Sequence, residues 1–404
     1  MLISDARREL KSAVAKIRED IISFAQEVMK IPSVSGDEKK CSEFIANELE
    51  SIGLETSLVE GEKGRPNVVS ILRGAGNGKT LGFHTHNDVV PEGNRDLWKF
   101  DPWGGEIADG KMYARGASDC KAGIISGVMA VKALREAGIQ LDGNVMVSVP
   151  VGEEISWQFG TQFLWENGYL KADNIILGCP TLHGPQSITT SHKSFLQLEA
   201  TTLGKAVPSA FPWTGVNAVE KMSQLIVELL HLKLNFNPHP LHPQGPTMSL
   251  GTMIKGGFSP TATPETCTAV FDFRILPTQK KEDLLRSIDQ IAEGLRTKDP
   301  SFRVAFKELR WVEGDDVPQD SPVVRALQKA SEDMLGHTAS IEGIPPIGPS
   351  SYLNNIAKIP AITWSPGDST ANIHGPNEWV RVDDIITITE GYALAAVYSL
   401  GLKS

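Results

Sequence analysis

The residues able to do chemistry sit in clusters, most of which follow a short apolar run. FHTHNDVVP closes the run LGFH, VPVGEEISW closes NVMVSVPV, ILGCPTLHG closes NIIL, and SPGDSTANIHGPNEW follows PAITWS, while RGASDCKAG comes after a turn-rich loop. Together they offer His86, Asp119, Glu153, Glu154, Cys179 and His374. Two imidazoles, several carboxylates and a thiol are the donor set of a zinc site, and they exceed what one tetrahedral ion requires. The surplus points to two ions sharing a carboxylate, as in metal-assisted hydrolases. In an extended HTHND segment, residues 84, 86 and 88 face the same way. His86 can then bind metal through one nitrogen while Asp88 steadies the ring through the other. Glu153 and Glu154 diverge as neighbours, so that one can ligate while the other faces the attacking water, whose proton a base must take.

The elements that must position these residues are those of an α/β protein. Leu10, Val14, Ile17, Ile21, Phe24 and Val28 recur at helical spacing and predict one apolar helical face over residues 5 to 30. A second helix carries Cys41, Ile45, Leu49 and Ile52 and stops at Gly53. The short apolar runs that follow, bounded by Gly and Pro, predict buried strands, and the helical segments between them predict a mixed, mainly parallel sheet flanked by helices. Polar clusters at the C-terminal ends of such strands converge on one edge, where sites assemble in open α/β sheets. Between 190 and 308 the order changes to strand, helix, two strands and helix, which predicts an inserted α+β domain of ferredoxin-like type. The expected division is therefore 1–189 with 309–404 as one domain and 190–308 as the other. Ser321-Pro322 starts a helix that ends at Gly336.

Bulk properties narrow the function. At 404 residues the chain suits two domains, and with 41% apolar and 22% charged residues it reads as globular. A net charge of −10 argues against nucleic acid or an anionic membrane as partner. The segment MLISDARRELKSAVAKIRED has charges where a secretion signal needs an apolar stretch, so a cytoplasmic location is expected. Cys41, Cys120, Cys179 and Cys267 form no CxxC pair and are expected to stay reduced.

The ordered set HTHNDVVP, DGKMYARGASDCKAG, EEISWQFGT, GKAVPSAFPWTGVNA, the Gly-Gly and TPET pair, DFR and IHGPNEW resembles the zinc amidohydrolases that include acetylornithine deacetylase, succinyl-diaminopimelate desuccinylase, aminoacylase and glutamate carboxypeptidase. It runs over roughly residues 20 to 385. The resemblance implies a catalytic domain of two sequence segments, a lid domain that dimerises, and a pair of zinc ions, with Co2+ or Mn2+ as alternatives. It assigns His86, Asp119 and Cys179 to one ion and Asp119, Glu154 and His374 to the other. Glu153 becomes the general base, Asp88 the support of His86, and Arg274 the holder of a carboxylate on a small-molecule substrate. It also implies a cis Asp119-Cys120 peptide. The activity implied is cleavage of a C–N amide bond in a small N-acylated amino acid or peptide-like compound.

Several positions depart from the family pattern. Cys179 stands where that pattern has an acidic residue, although a thiolate keeps the formal charge and is biased toward zinc. Pro208 replaces a histidine that reaches the neighbouring subunit, Thr261 replaces an asparagine, Ser156-Trp157 replaces two small residues, and the usual Thr-Asp near the late helix becomes part of PPIGPSSY. Losing one oxyanion donor costs about 10²–10³ in turnover, so two other classes stay open. One is deamination or C–N cleavage of an aromatic or cyclic compound, which Trp157, Phe159, Phe211 and Trp213 would suit. The other is a non-enzymatic homologue with an impaired metal site. His84 is expected to be packed, His183 solvated, and Cys41 and Cys120 to fill space. RGAGNGKT lacks the first glycine of a phosphate loop and precedes a strand.

Overall fold

The computed structural model describes residues 1–76, 78–346 and 348–403. Asn77 in RGAGNGKT, Ile347 in PPIGPSSY and the terminal Ser404 lie outside them. The chain forms two compact units: Met1–Thr190 with Val317–Glu342 and Gly348–Ser404, and Ser191–Asp316 with Gly343–Ile347.

The first unit is built on a sheet whose strands run in the order Glu55–Glu62, Arg65–Leu72, Asn144–Val149, Thr80–His84, Asn174–Leu177, Ala361–Thr363 and Ser187–His192. The central pairs are parallel: Thr80–His84 with both Asn144–Val149 and Asn174–Leu177, and Asn174–Leu177 with Ala361–Thr363. The outer pairs on the Glu55 side are antiparallel. Alternate residues feed two apolar layers. Phe83, Val145, Val147 and Ile176 face one, while Met146, Ile175 and Leu177 face the other. A sheet covered on both faces favours apolar residues on both, which is why central strands such as Asn144–Val149 and Asn174–Leu177 read as nearly unbroken runs. The helices Ala122–Glu136 and Val382–Leu400 are buried along most of their length and pack against each other on the Phe83 side.

The single helical face expected over 5 to 30 is two helices, Ile3–Lys16 and Arg18–Lys30, separated by Ile17 at φ −93°, ψ 13°. Lys16 sits in the last turn of the first and Glu19 and Asp20 in the first turn of the second. Those charges suit a C-terminus followed by an N-terminus better than an uninterrupted helix. Ile17 stays buried, so the apolar spacing gave no sign of the break.

In the second unit four antiparallel strands run in the order Thr247–Gly256, Thr266–Ile275, Ser194–Leu203 and Arg303–Val312. Cys267, Ala269, Phe271, Phe273 and Ile275 alternate inward against the helices Ala218–Leu230 and Lys281–Lys298. Asn217 caps the first of these helices by accepting from the Val219 and Glu220 amides. The unit runs past position 308 to Asp316, because Arg303–Val312 is a strand of this sheet, paired with Ser194–Leu203. Among the described residues no helix is long and apolar enough to cross a membrane.

Candidate metal centre

His86 follows the strand Thr80–His84 and is 2% exposed. Its Nδ1 lies 2.9 Å from the Asp88 backbone carbonyl and 3.4 Å from Asp88 Oδ1. With the ring proton on Nδ1, Nε2 presents its lone pair to the interior. The support expected from the Asp88 carboxylate thus comes more closely from its carbonyl. The carboxylate itself accepts from Ser35 Oγ at 2.7 Å and from the Glu153 and Glu154 amides at 2.9 and 3.1 Å. Asp88 therefore ties the histidine segment to the two adjacent glutamates.

Asp119 lies just before the helix Ala122–Glu136, and the Asp119-Cys120 peptide is cis. Its Oδ1 is 3.4 Å from His86 Nε2 and its Oδ2 is 3.4 Å from His374 Nε2, one oxygen toward each imidazole. His374 Nε2 is also 3.2 Å from Glu154 Oε1. His374 has a left-handed backbone, φ 61°, which is uncommon for a residue with a side chain and marks a constrained position. Glu153 Oε2 is 3.7 Å from His86 Nε2, while its Oε1 accepts the Trp157 indole N–H at 3.2 Å. Two groups of donors result: His86, Cys120 and Cys179, and Asp119, Glu154 and His374, each with its ligand atoms within 4.8 Å of one another. Cys120, expected to fill space, instead lies 3.0 Å from His86 Nε2 and 2.7 Å from Asp119 Oδ1.

Glu378, one residue before the strand Trp379–Arg381, holds the Asp119 loop and was given no role by the sequence. Fully buried, it accepts from Arg115 Nη1 at 2.6 Å and from the backbone amides of Gly116, Ser118 and Asp119 at 2.9, 2.9 and 3.0 Å. The available signal was an arginine in one cluster, RGASD, and a carboxylate in another, IHGPNEW. Glu378→Gln leaves the Arg115 guanidinium buried without its anion and is expected to cost about 3–5 kcal/mol of stability. Urea unfolding of both proteins at neutral pH measures this as a lowered midpoint.

The electrostatics are those of converging anions. Hydrogen bonds to Asp119 and Glu154 push His374 up to about 10. Burial opposes charge on His86, yet Asp119, Asp88 and Cys179 raise it well above its ordinary value. Burial also acts against Asp119, which His374 and His86 nevertheless hold well below the carboxylate range. Burial, reinforced by Cys179, Glu154 and Asp119 and opposed by His86, pushes Glu153 up to about 8. A hydrogen bond from Cys120 brings the Cys179 thiol down to about 6 against the effect of burial. Protons on His86 and His374 offset part of this negative charge, and the proton that burial favours on Glu153 removes one further anion. Nitrogen, oxygen and sulfur donors grouped in this way fit divalent cations, which would take over that role.

The other singled-out residues belong to neither group of donors. His84 is packed between Ser148 and Thr161 hydroxyls, and burial holds it down at about 3. His183 is exposed. In the second unit Arg274 pairs with Asp272 at 2.9 Å and stacks 3.9 Å from the Phe195 ring. Also in that unit, Pro208 bridges to Ala262, Thr261 contacts Ser259, and Phe211 and Trp213 are exposed and meet edge to face at 5.8 Å.

The sequence profile of peptidase family M20/M25/M40 matches residues 82–397. A probable succinyl-diaminopimelate desuccinylase of Staphylococcus epidermidis is 24% identical over 93% of this chain and 96% of its own. An N-formyl-4-amino-5-aminomethyl-2-methylpyrimidine deformylase of Halalkalibacterium halodurans is 24% identical over 95% of each chain. The crystal structure of a dinuclear metal-binding peptidase from Bacillus subtilis superposes with a TM-score of 0.73 at 18% identity, over 96% of this chain and 99% of its own.

Proposed function

The chain belongs to peptidase family M20/M25/M40 and is a metallohydrolase, and from that membership we propose that it cleaves the C–N amide bond of a small N-acylated amino acid or peptide-like compound. One observation carries this reading. Two groups of donors meet at Asp119, whose oxygens face His86 and His374, and Glu153 stands beside them with its carboxylate held by Trp157. His86, Asp119 and Cys179 would hold one ion, and Asp119, Glu154 and His374 the other, with Zn2+ favoured by the thiol and Co2+ or Mn2+ as alternatives. When bound, the ions supply Lewis acidity to a carbonyl oxygen and lower the pKa of a water.

The protein's own part in the reaction falls mainly to Glu153. Its carboxylate takes a proton from the attacking water and returns it to the nitrogen of the departing amine, so bond cleavage yields a carboxylic acid and an amine. Trp157 fixes Oε1 of that carboxylate and leaves Oε2 free for the proton. Asp88 sets the backbone of Glu153 and Glu154 through its two accepted amides. Arg274 is the candidate cation for a substrate carboxylate. The resemblance that supports this reading also supports a homodimer formed through the second unit.

A second reading is favoured by one relative that is a deformylase of an aminopyrimidine, and by the aromatic Trp157 beside the base. In that case the amine released would carry an aromatic ring. Metal-loaded protein assayed against N-acetyl, N-succinyl and N-formyl amino acids and N-formyl aminopyrimidines separates the two. Release of the free amino acids from their N-acyl forms supports the first reading. Hydrolysis confined to aromatic amides, or release of ammonia, replaces it with the second.

A further inference from the structure

We propose that Cys120 is itself a metal ligand, so that the position at His86 is built from one imidazole and two thiolates, while the position at His374 is built from one imidazole and two carboxylates. The inference rests on the metallohydrolase reading and deepens it by assigning a residue no part of that reading uses. Its basis is placement. Cys41 packs in the apolar core of the first unit, as a buried free cysteine ordinarily does. Cys120 is equally buried, but its sulfur is directed at His86 Nε2 and Asp119 Oδ1, 3.0 and 2.7 Å away. The ligand atoms of His86, Cys120 and Cys179 all lie within 4.8 Å of one another. Donors held at about 2.0–2.3 Å around one tetrahedral ion are about 3.3–3.8 Å apart; the separations here, from 2.7 Å up to at most 4.8 Å, bracket that spacing, so shifts of about 1 Å or less complete the set.

The two positions then differ in kind. Two thiolates and an imidazole are soft and select zinc over manganese or magnesium, whereas two carboxylates and an imidazole accept any of the common divalent ions. With Asp119 Oδ1 as fourth donor, the His86 position is filled by protein groups. An open coordination place is then left only at the His374 position. Zinc at the first position is expected to resist exchange, and the ion at the second to be replaceable by Mn2+ or Co2+.

The test is to add Co2+ and, separately, Zn2+ to the metal-free full-length protein. The first equivalent of Co2+ is expected to give thiolate-to-cobalt charge-transfer absorption, which falls by about half in Cys120→Ser and by about half in Cys179→Ser. X-ray absorption of the protein with one equivalent of Zn2+ counts sulfur neighbours at about 2.3 Å without any substitution, and two are expected. Metal binding with one sulfur or none, or full charge-transfer intensity in a folded Cys120→Ser protein, overturns this assignment alone. Failure of the native chain to bind either ion overturns both this assignment and the metallohydrolase mechanism beneath it.

Discussion

Glu153→Gln lowers turnover by about 10²–10⁴-fold, the usual contribution of a positioned general base, while the metal content stays at the native value. Glutamine has nearly the shape of glutamate and can still accept the Trp157 indole N–H that now reaches Oε1. It cannot take a proton. Glu153 Oε2 lies 3.7 Å from His86 Nε2, and the residue belongs to neither group of candidate ligands. Its replacement should therefore separate chemistry from metal binding. The pH dependence carries the same information. The base works deprotonated, so activity rises with pH through its pKa. Burial and the neighbouring anions hold that carboxyl up at about 8 in the metal-free protein. Bound cations favour the carboxylate and bring the acidic limb below that value. In Glu153→Gln the limb attributable to this group disappears. Turnover, metal content and a pH profile for both proteins check it, and native turnover in the variant would remove Glu153 from the mechanism.

Asp119→Asn has the second largest expected effect, and it acts on metal content as well as on rate. The carboxylate turns one oxygen toward each of two histidines at 3.4 Å. Asparagine keeps one acceptor oxygen and loses the charge, so it can serve one position and offers an N–H to the other. The metal content is expected to fall from two ions per chain to one or fewer. The loss of Lewis-acid assistance, several kcal/mol, corresponds to a rate lowered by about 10³-fold or more. The contrast with Glu153→Gln is the useful part, because only one of the two substitutions should release metal. Full loading of Asp119→Asn would mean that the two groups of donors do not share this residue.

The fold and the candidate site were legible in the sequence to different depths. The central strands were readable because a sheet covered on both faces favours apolar side chains on both; Glu55–Glu62, half exposed, and Ser187–His192, rich in hydroxyls, carry no such run. His86, Glu153, Glu154 and Cys179 were readable because each falls within a few residues of the end of such a strand, and strand ends converge. Cys120 was not, since a cysteine next to an aspartate carries no periodic signal and its direction is settled only by the backbone of the loop. Glu378 was hidden for a related reason. Its partners are Arg115 and three backbone amides more than 250 residues earlier in the chain, and backbone donors leave no mark in a sequence. Asp88 was read as the support of the His86 ring, and its backbone carbonyl makes the closer contact. Its carboxylate, however, is spent mainly on Ser35 and on the amides of the two glutamates, a use that side-chain chemistry alone does not announce.

One titration tests the two-ion site most directly: metal-free protein is supplied with Zn2+ while bound metal and amine release from an N-acyl amino acid are followed together. Amine release absent from the metal-free protein and rising to its maximum as the second ion per chain binds is the predicted result. Hydrolysis that persists after metal removal, or no hydrolysis of any acylated amine with both ions bound, would contradict it.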